Sequence, residues 1–178
     1  MHNTIYNQLA LNQNLIQTKT VFKDVRDNLK ESSWNQKIDE ISHEEIVEAT
    51  LINQVVPTLL INKLKPRLIK PKFIINVTSL EGIFNNNSKT DKHIHTNMCK
   101  AAMNMMIRSL SEDLDKDLYV YAINPGYVSG VLPQNDKYQV PLEDGASRIT
   151  YPIIKHIIGE SLGKEYTLMS NYKPVQNW

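Results

Sequence analysis

No glycine precedes Gly82 in this 178-residue chain, which carries six glycines in all. Neither G-x-G-x-x-G nor G-x-x-x-G-x-G occurs, so the turn that lets backbone amides approach a diphosphate at a helix N-terminus is absent. Cysteine is nearly absent too. Cys99 alone excludes an internal disulfide and a multi-cysteine zinc site, which suits a reducing cytoplasm. No apolar run approaches the roughly 20 residues of a membrane span. The opening Met1-His2-Asn3-Thr4 has no cationic flank leading into an apolar stretch, so no secretory signal is expected. Charge of one sign is also missing. Twenty Lys and Arg against 19 Asp and Glu leave +1, with no electrostatic pull toward nucleic acid or a lipid surface. The densest basic cluster, Lys63, Lys65, Arg67, Lys70 and Lys72, straddles an expected helix end. There it reads as a solvated face that complements the helix dipole. No metal site is expected, because His93 and His95 have no acidic or cysteine companion at ligand spacing.

What is present is a chain 41% hydrophobic, sufficient for one core. Residues 1–35 are polar and poorly defined; Val21, Phe22, Val25 and Leu29 have helical spacing within them. From residue 36 to 178 the pattern is that of one domain. Ser42-His43-Glu44-Glu45 has capping-box spacing and opens an apolar helix to about Leu64, which Pro57 is expected to kink and Pro66 and Pro71 to close. Phe73–Val77 and Leu118–Ile123 are continuously apolar, as strands covered on both faces are. A Met-rich helix over Thr96–Leu114 separates them; a third helix over Leu142–His156 and a last strand over Glu165–Met169 follow. Strands alternating with helices of these lengths imply an α/β fold with a parallel sheet.

Three stretches then carry a resemblance: FIINVTSLEG over 73–82, TNMCKAAMN over 96–104 and YVYAINPG over 119–126. Their order and spacing resemble the C-terminal half of short-chain dehydrogenases/reductases, from about Trp34 onward. The implied fold is a partial Rossmann-like, doubly wound parallel sheet lacking the N-terminal nucleotide-binding strands. The implied activity is NAD- or NADP-dependent oxidoreduction. Ser79 matches the serine that hydrogen-bonds a substrate carbonyl, and Lys100 the lysine that holds the nicotinamide ribose and lowers the pKa of a tyrosine. Asn53 matches the asparagine that supports a water chain to that lysine. Pro125, Gly126 and Val128 match the backbone lining the nicotinamide pocket. The resemblance also implies a homodimer through the helices at 44–64 and 96–114, and it places substrate choice on the loop from Tyr127 to Val140.

Two departures oppose the matches. Thr96 stands four residues before Lys100, where that family has tyrosine. A phenol titrates near pH 10 and a neighbouring ammonium can bring it into range, whereas an aliphatic hydroxyl is no ordinary general acid. The glycine-rich loop is the second loss. The expectation is an impaired oxidoreductase. Two alternatives stand beside it: an active enzyme using Thr96 or His95 as proton donor, and a non-enzymatic module that recruits a partner through its helix faces. Bland readings stand beside the site too: Ser79 as a strand-end cap, Lys100 as a solvated helix lysine, and Cys99 as a small buried hydrophobe.

Overall fold

The computed structural model describes residues 33–128 and 140–176. The helical spacing noted at Val21–Leu29 and most of the loop after Val128 lie outside the described residues. Elements run α1 (His43–Thr50), a π turn (Leu51–Val55), α2 (Val56–Leu64), β1 (Lys72–Val77), α3 (Ile94–Leu110), β2 (Leu118–Asn124), α4 (Leu142–Ile157), β3 (Leu168–Ser170) and β4 (Lys173–Pro174). The sheet order is β1-β2-β3-β4, with the first three strands parallel and β4 antiparallel. The α/β class is thus as the residues imply.

Strand alternation divides the core in two. Ile74, Val120 and Ala122 meet Ile107 of α3 and Ile83 on one face, with Ile61 of α2 packed alongside. Tyr121, Ile123 and Met169 form the other cluster, with Phe73, Ile75 and Tyr151 of α4. Ile107 is fully buried. Among the described residues, no helix is long and apolar enough to cross a membrane.

Several local expectations change. Ser42 caps α1 by accepting the Glu45 N–H at 3.1 Å, but the Glu45 carboxylate does not close the capping box. It accepts the Ser33 hydroxyl at 2.7 Å instead, tying the incoming chain to the first turn of α1. Pro57 does not simply kink the helix. The preceding turn widens to π, with the Val56 N–H reaching the Leu51 carbonyl, and the helix continues through the proline. The Met-rich helix begins at Ile94 and ends at Leu110, four residues early, because Asp113 and Asp115 accept the backbone N–H groups two residues ahead and turn the chain toward β2. The last strand starts at Leu168 rather than Glu165, where a 3-10 turn stands. It returns through a hairpin with Asn171 and Tyr172 both at positive φ, 49° and 64°, giving a β4 that the pattern did not show.

The basic cluster is not merely solvated. Lys65 pairs with Asp113 at 2.7 Å, Lys72 with Asp115 at 2.6 Å, and Lys70 with Asp117. These three pairs stitch the start of β1 to the start of β2. The lysine hydrogen bonds hold the Asp113 and Asp115 carboxyls below their ordinary 3.8, so the stabilisation exists above that value and disappears as pH falls through the lowered ones. The melting temperature is therefore expected to fall on acidification below about pH 4. An Asp113→Asn/Asp115→Asn variant should melt lower at neutral pH and lose less on acidification; equal acid sensitivity in both proteins would refute this.

Candidate functional site

The Val77–Ile123 register brings the carboxyl ends of β1 and β2 side by side, and the turns that follow leave the sheet together. Ligands in open α/β sheets bind outside such ends. After β1 the chain passes buried Thr78 and half-buried Ser79 into a 3-10 turn, Leu80–Gly82. That turn lies hard against α3. A Cβ on Gly82 would stand 2.7 Å from Nδ2 of Asn104 and 2.8 Å from the backbone carbon of Lys100. Asn104, buried, donates to the Gly82 carbonyl at 2.9 Å. Lys100 Nζ donates to the Val77 carbonyl at 3.0 Å. Burial pushes the Lys100 ammonium below its ordinary pKa, with Glu81 opposing the shift. Lys89, from the Asn-rich loop, donates to the Leu80 and Glu81 carbonyls and to Asn97 of α3. Three side chains therefore pin the turn that carries Ser79. Sequence reasoning singled out only Lys100, although Gly82 ahead of a small-residue helix was a signal of close packing.

Thr96 lies one helical turn before Lys100, on the same side of α3. His95 is rotated about 100° from it and shares the side of Cys99, four residues on. Cys99 is buried, as expected of a small hydrophobe, and its thiol approaches the Ala49 carbonyl of α1 at 3.5 Å. His95 is buried on that side, its Nδ1 without a hydrogen-bond partner among the described residues. The His93 ring packs on Trp34 at 4.2 Å, and His93 itself, at φ 58°, sits where α3 begins.

Asn53 is in the π turn, exposed, its Nδ2 donating to the Ala49 carbonyl at 3.0 Å. Among the described residues it is not hydrogen-bonded to Lys100. Pro57 has no N–H, so the backbone carbonyl of Asn53 loses its usual partner four residues on.

After β2, Asn124 Oδ1 accepts the Gly126 N–H at 2.9 Å and closes the turn over Pro125. Gly126 has φ 86°, and a Cβ there would meet Arg148 and Val140 at 2.9 Å. Arg148 donates to the Pro125 carbonyl at 3.2 Å and grips Asp144 with Nε and Nη2 at 3.0 and 2.7 Å. Tyr172 donates to the other Asp144 oxygen at 2.6 Å. That hydrogen bond first, and Arg148 second, hold the Asp144 carboxyl below its usual range. Val128 packs on α4, where a Cβ at Gly145 would stand 2.6 Å from its Cγ2. Arg148, Asp144 and Tyr172 escaped sequence reasoning; the i, i+4 acid–base pair was the available hint.

The sequence supplies no glycine-rich turn to cradle the diphosphate of a dinucleotide. Among the described residues no cluster of three or more His, Cys, Asp or Glu could hold a metal. A cleft of about 400 Å³ opens at the other end of β2, between Asp113–Tyr121 and Leu162–Thr167, away from Ser79 and Lys100.

The same architecture is found in solved proteins. Carbonyl reductase Sniffer of D. melanogaster superposes with a TM-score of 0.61 at 21% identity, over 81% of this chain and 61% of that one. An NADPH-bound carbonyl reductase from chicken fatty liver gives 0.64 at 21% identity, over 83% and 62%. A short chain dehydrogenase from Burkholderia cenocepacia in complex with NADP gives 0.59 at 13% identity, over 78% and 60%. The fold is that of the short-chain dehydrogenases/reductases. This chain spans about six-tenths of the length of these three proteins. In sequence, it is 29% identical over 151 residues to an uncharacterized protein of Acanthamoeba polyphaga mimivirus, covering 72% of this chain and 31% of that protein. No family model matches.

The tight seat of Gly82 predicts that Gly82→Ala forces α3 from the Ser79 turn, destabilising by about 1–3 kcal/mol as overpacking does. Denaturant unfolding measures it; an unchanged midpoint would show that the contact gives way freely.

Proposed function

We propose that this chain is a divergent short-chain dehydrogenase/reductase domain with impaired hydride-transfer chemistry, its cofactor class being NAD or NADP. One observation carries the reading: Thr96 lies one turn ahead of Lys100, on the side of α3 that meets Val77 and Gly82. A hydroxyl with no accessible titration stands where this chemistry uses a phenol, while the desolvated ammonium and Ser79 remain. Ser79 would bind a carbonyl oxygen, Lys100 a ribose hydroxyl, and Pro125, Gly126 and Val128 would border the nicotinamide. His95 as a substitute donor is opposed by its burial beside Cys99. One buried cysteine suits a cytoplasmic location.

The test is carbonyl reduction by NADPH and NADH on the full chain, with dinucleotide titration alongside. The wild type is expected to bind weakly and turn over negligibly. Thr96→Tyr should raise the rate by about a hundredfold or more, the usual contribution of a placed general acid. Wild-type turnover that disappears in Lys100→Ala and is no faster in Thr96→Tyr would overturn the reading.

A second reading is supported by the helix surfaces. Val47, Ile52 and Leu59 are 66%, 54% and 54% exposed, and Met98 and Met105 on α3 are 57% and 63% exposed. A patch of this kind commonly meets a partner. A second copy or a longer relative would dock through the helices at 44–64 and 96–114, with no dinucleotide chemistry required. If so, Leu59→Asp should abolish association in light scattering without lowering the melting temperature, because the side chain is exposed; self-association indifferent to it would remove this reading.

A further inference from the structure

Lys100 differs from its neighbours in what its ammonium faces. Lys65, Lys70, Lys72, Lys155 and Lys164 each meet an aspartate or a glutamate. Among the described residues Lys100 meets neither: its one hydrogen bond goes to the Val77 carbonyl, on a side open to solvent. The side chain is half-buried, and Glu81 acts on it from beyond contact. Taking an ammonium out of water with no anion against it favours the neutral amine. A nitrogen lone pair is what attack on a carbonyl carbon requires.

Two hydroxyls stand at the same strand end. Ser79 heads the 3-10 turn after β1, yet its side chain caps nothing there and has no hydrogen-bond partner among the described residues. Thr96, one turn ahead of Lys100, is likewise without one. Both are half-buried. The Val77 carbonyl that Lys100 reaches precedes Ser79 by two residues, and Gly82, three residues beyond it, lies against the backbone of Lys100. Amine and serine thus border one seam, and neither is consumed by an ion pair or a cap.

We propose that Lys100 is an amine nucleophile for aldehydes, forming a reversible imine at the carboxyl end of β1 while Ser79 donates to the carbonyl oxygen. The Lys100 nitrogen bonds to the carbonyl carbon, and the C–O bond breaks. Two protons of the ammonium leave on that oxygen as water, and the protonated C=N bond keeps the positive charge. No oxidant or reductant takes part. An aldehyde suits a half-buried amine better than a ketone, because its carbonyl carbon carries one carbon substituent rather than two. The chemistry shares only the Ser79 donor with the hydride-transfer reading and needs neither Thr96 nor a nucleotide, so either can fail alone.

The full chain, without nucleotide, is treated with propanal and cyanoborohydride, which reduces imines as they form, and peptide mass spectrometry follows each lysine. Lys116 and Lys173, exposed and in no ion pair among the described residues, serve as references within the same chain. Lys100 is expected to be alkylated about tenfold faster than either, or more. Ser79→Ala should slow Lys100 and leave the two references unchanged, whereas Ser79→Thr, which keeps a hydroxyl, should preserve the lead. If Ser79→Ala fails to fold by circular dichroism, the wild-type comparison decides. Alkylation of Lys100 no faster than of Lys116 and Lys173 overturns the proposal. So does a lead that persists in the urea-unfolded chain, or one that a folded Ser79→Ala leaves intact.

Discussion

The close approach of α3 to the Ser79–Gly82 turn is the contact on which the rest of the site depends. Gly82 has no room for a side chain, and because it has none, Asn104 and Lys100 reach the backbone on either side of Ser79. The same approach brings Ile107 into the core beneath the sheet and orients Thr96 with Lys100. Loosening it would separate the two halves of the site and open one of the two cores together. Chemistry and stability share one seam.

Around that seam the sheet is tied at both ends by different means. At the amino ends of β1 and β2, three lysine–aspartate pairs span the gap between chain segments some forty residues apart in sequence. At the carboxyl ends the ties are part-buried hydrogen bonds: Gly126 to Asn124, Arg148 to Pro125, and Tyr172 to Asp144. The first set joins opposite full charges, which salt screens and acid discharges.

Apolar pattern made the strands, the helices and their order legible, because hydrophobic runs such as Phe73–Val77, broken only by Asn76, and Leu118–Ile123 have few other uses in a chain of this size. Short motifs made the neighbourhood of Ser79, Lys100 and Pro125-Gly126 legible for the same reason: spacing along strand and helix survives into space. What escaped was pairing across distance. Asp115 with Lys72, Asp144 with Tyr172, and Lys89 with the carbonyls after β1 join residues whose separation has no periodicity. The hairpin at Asn171-Tyr172 was hidden because tyrosine is a poor predictor of positive φ; its hydroxyl, anchored on Asp144, holds the backbone there. Asn53 shows a third limit. The motif places it correctly on its helix, but the π turn and Pro57 decide where its groups point, and its amide serves its own helix.

The π turn at Leu51–Val55 holds one more residue than an α turn would. Were the same residues to run through as ordinary α-helix, everything ahead of the turn would revolve by about 100° about the axis. Ser42, Glu45 and the attached Ser33 would swing round, withdrawing Trp34 from the His93 ring at the head of α3. A single spare residue thus acts as the phase setting between the entering chain and the helix that bears the lysine.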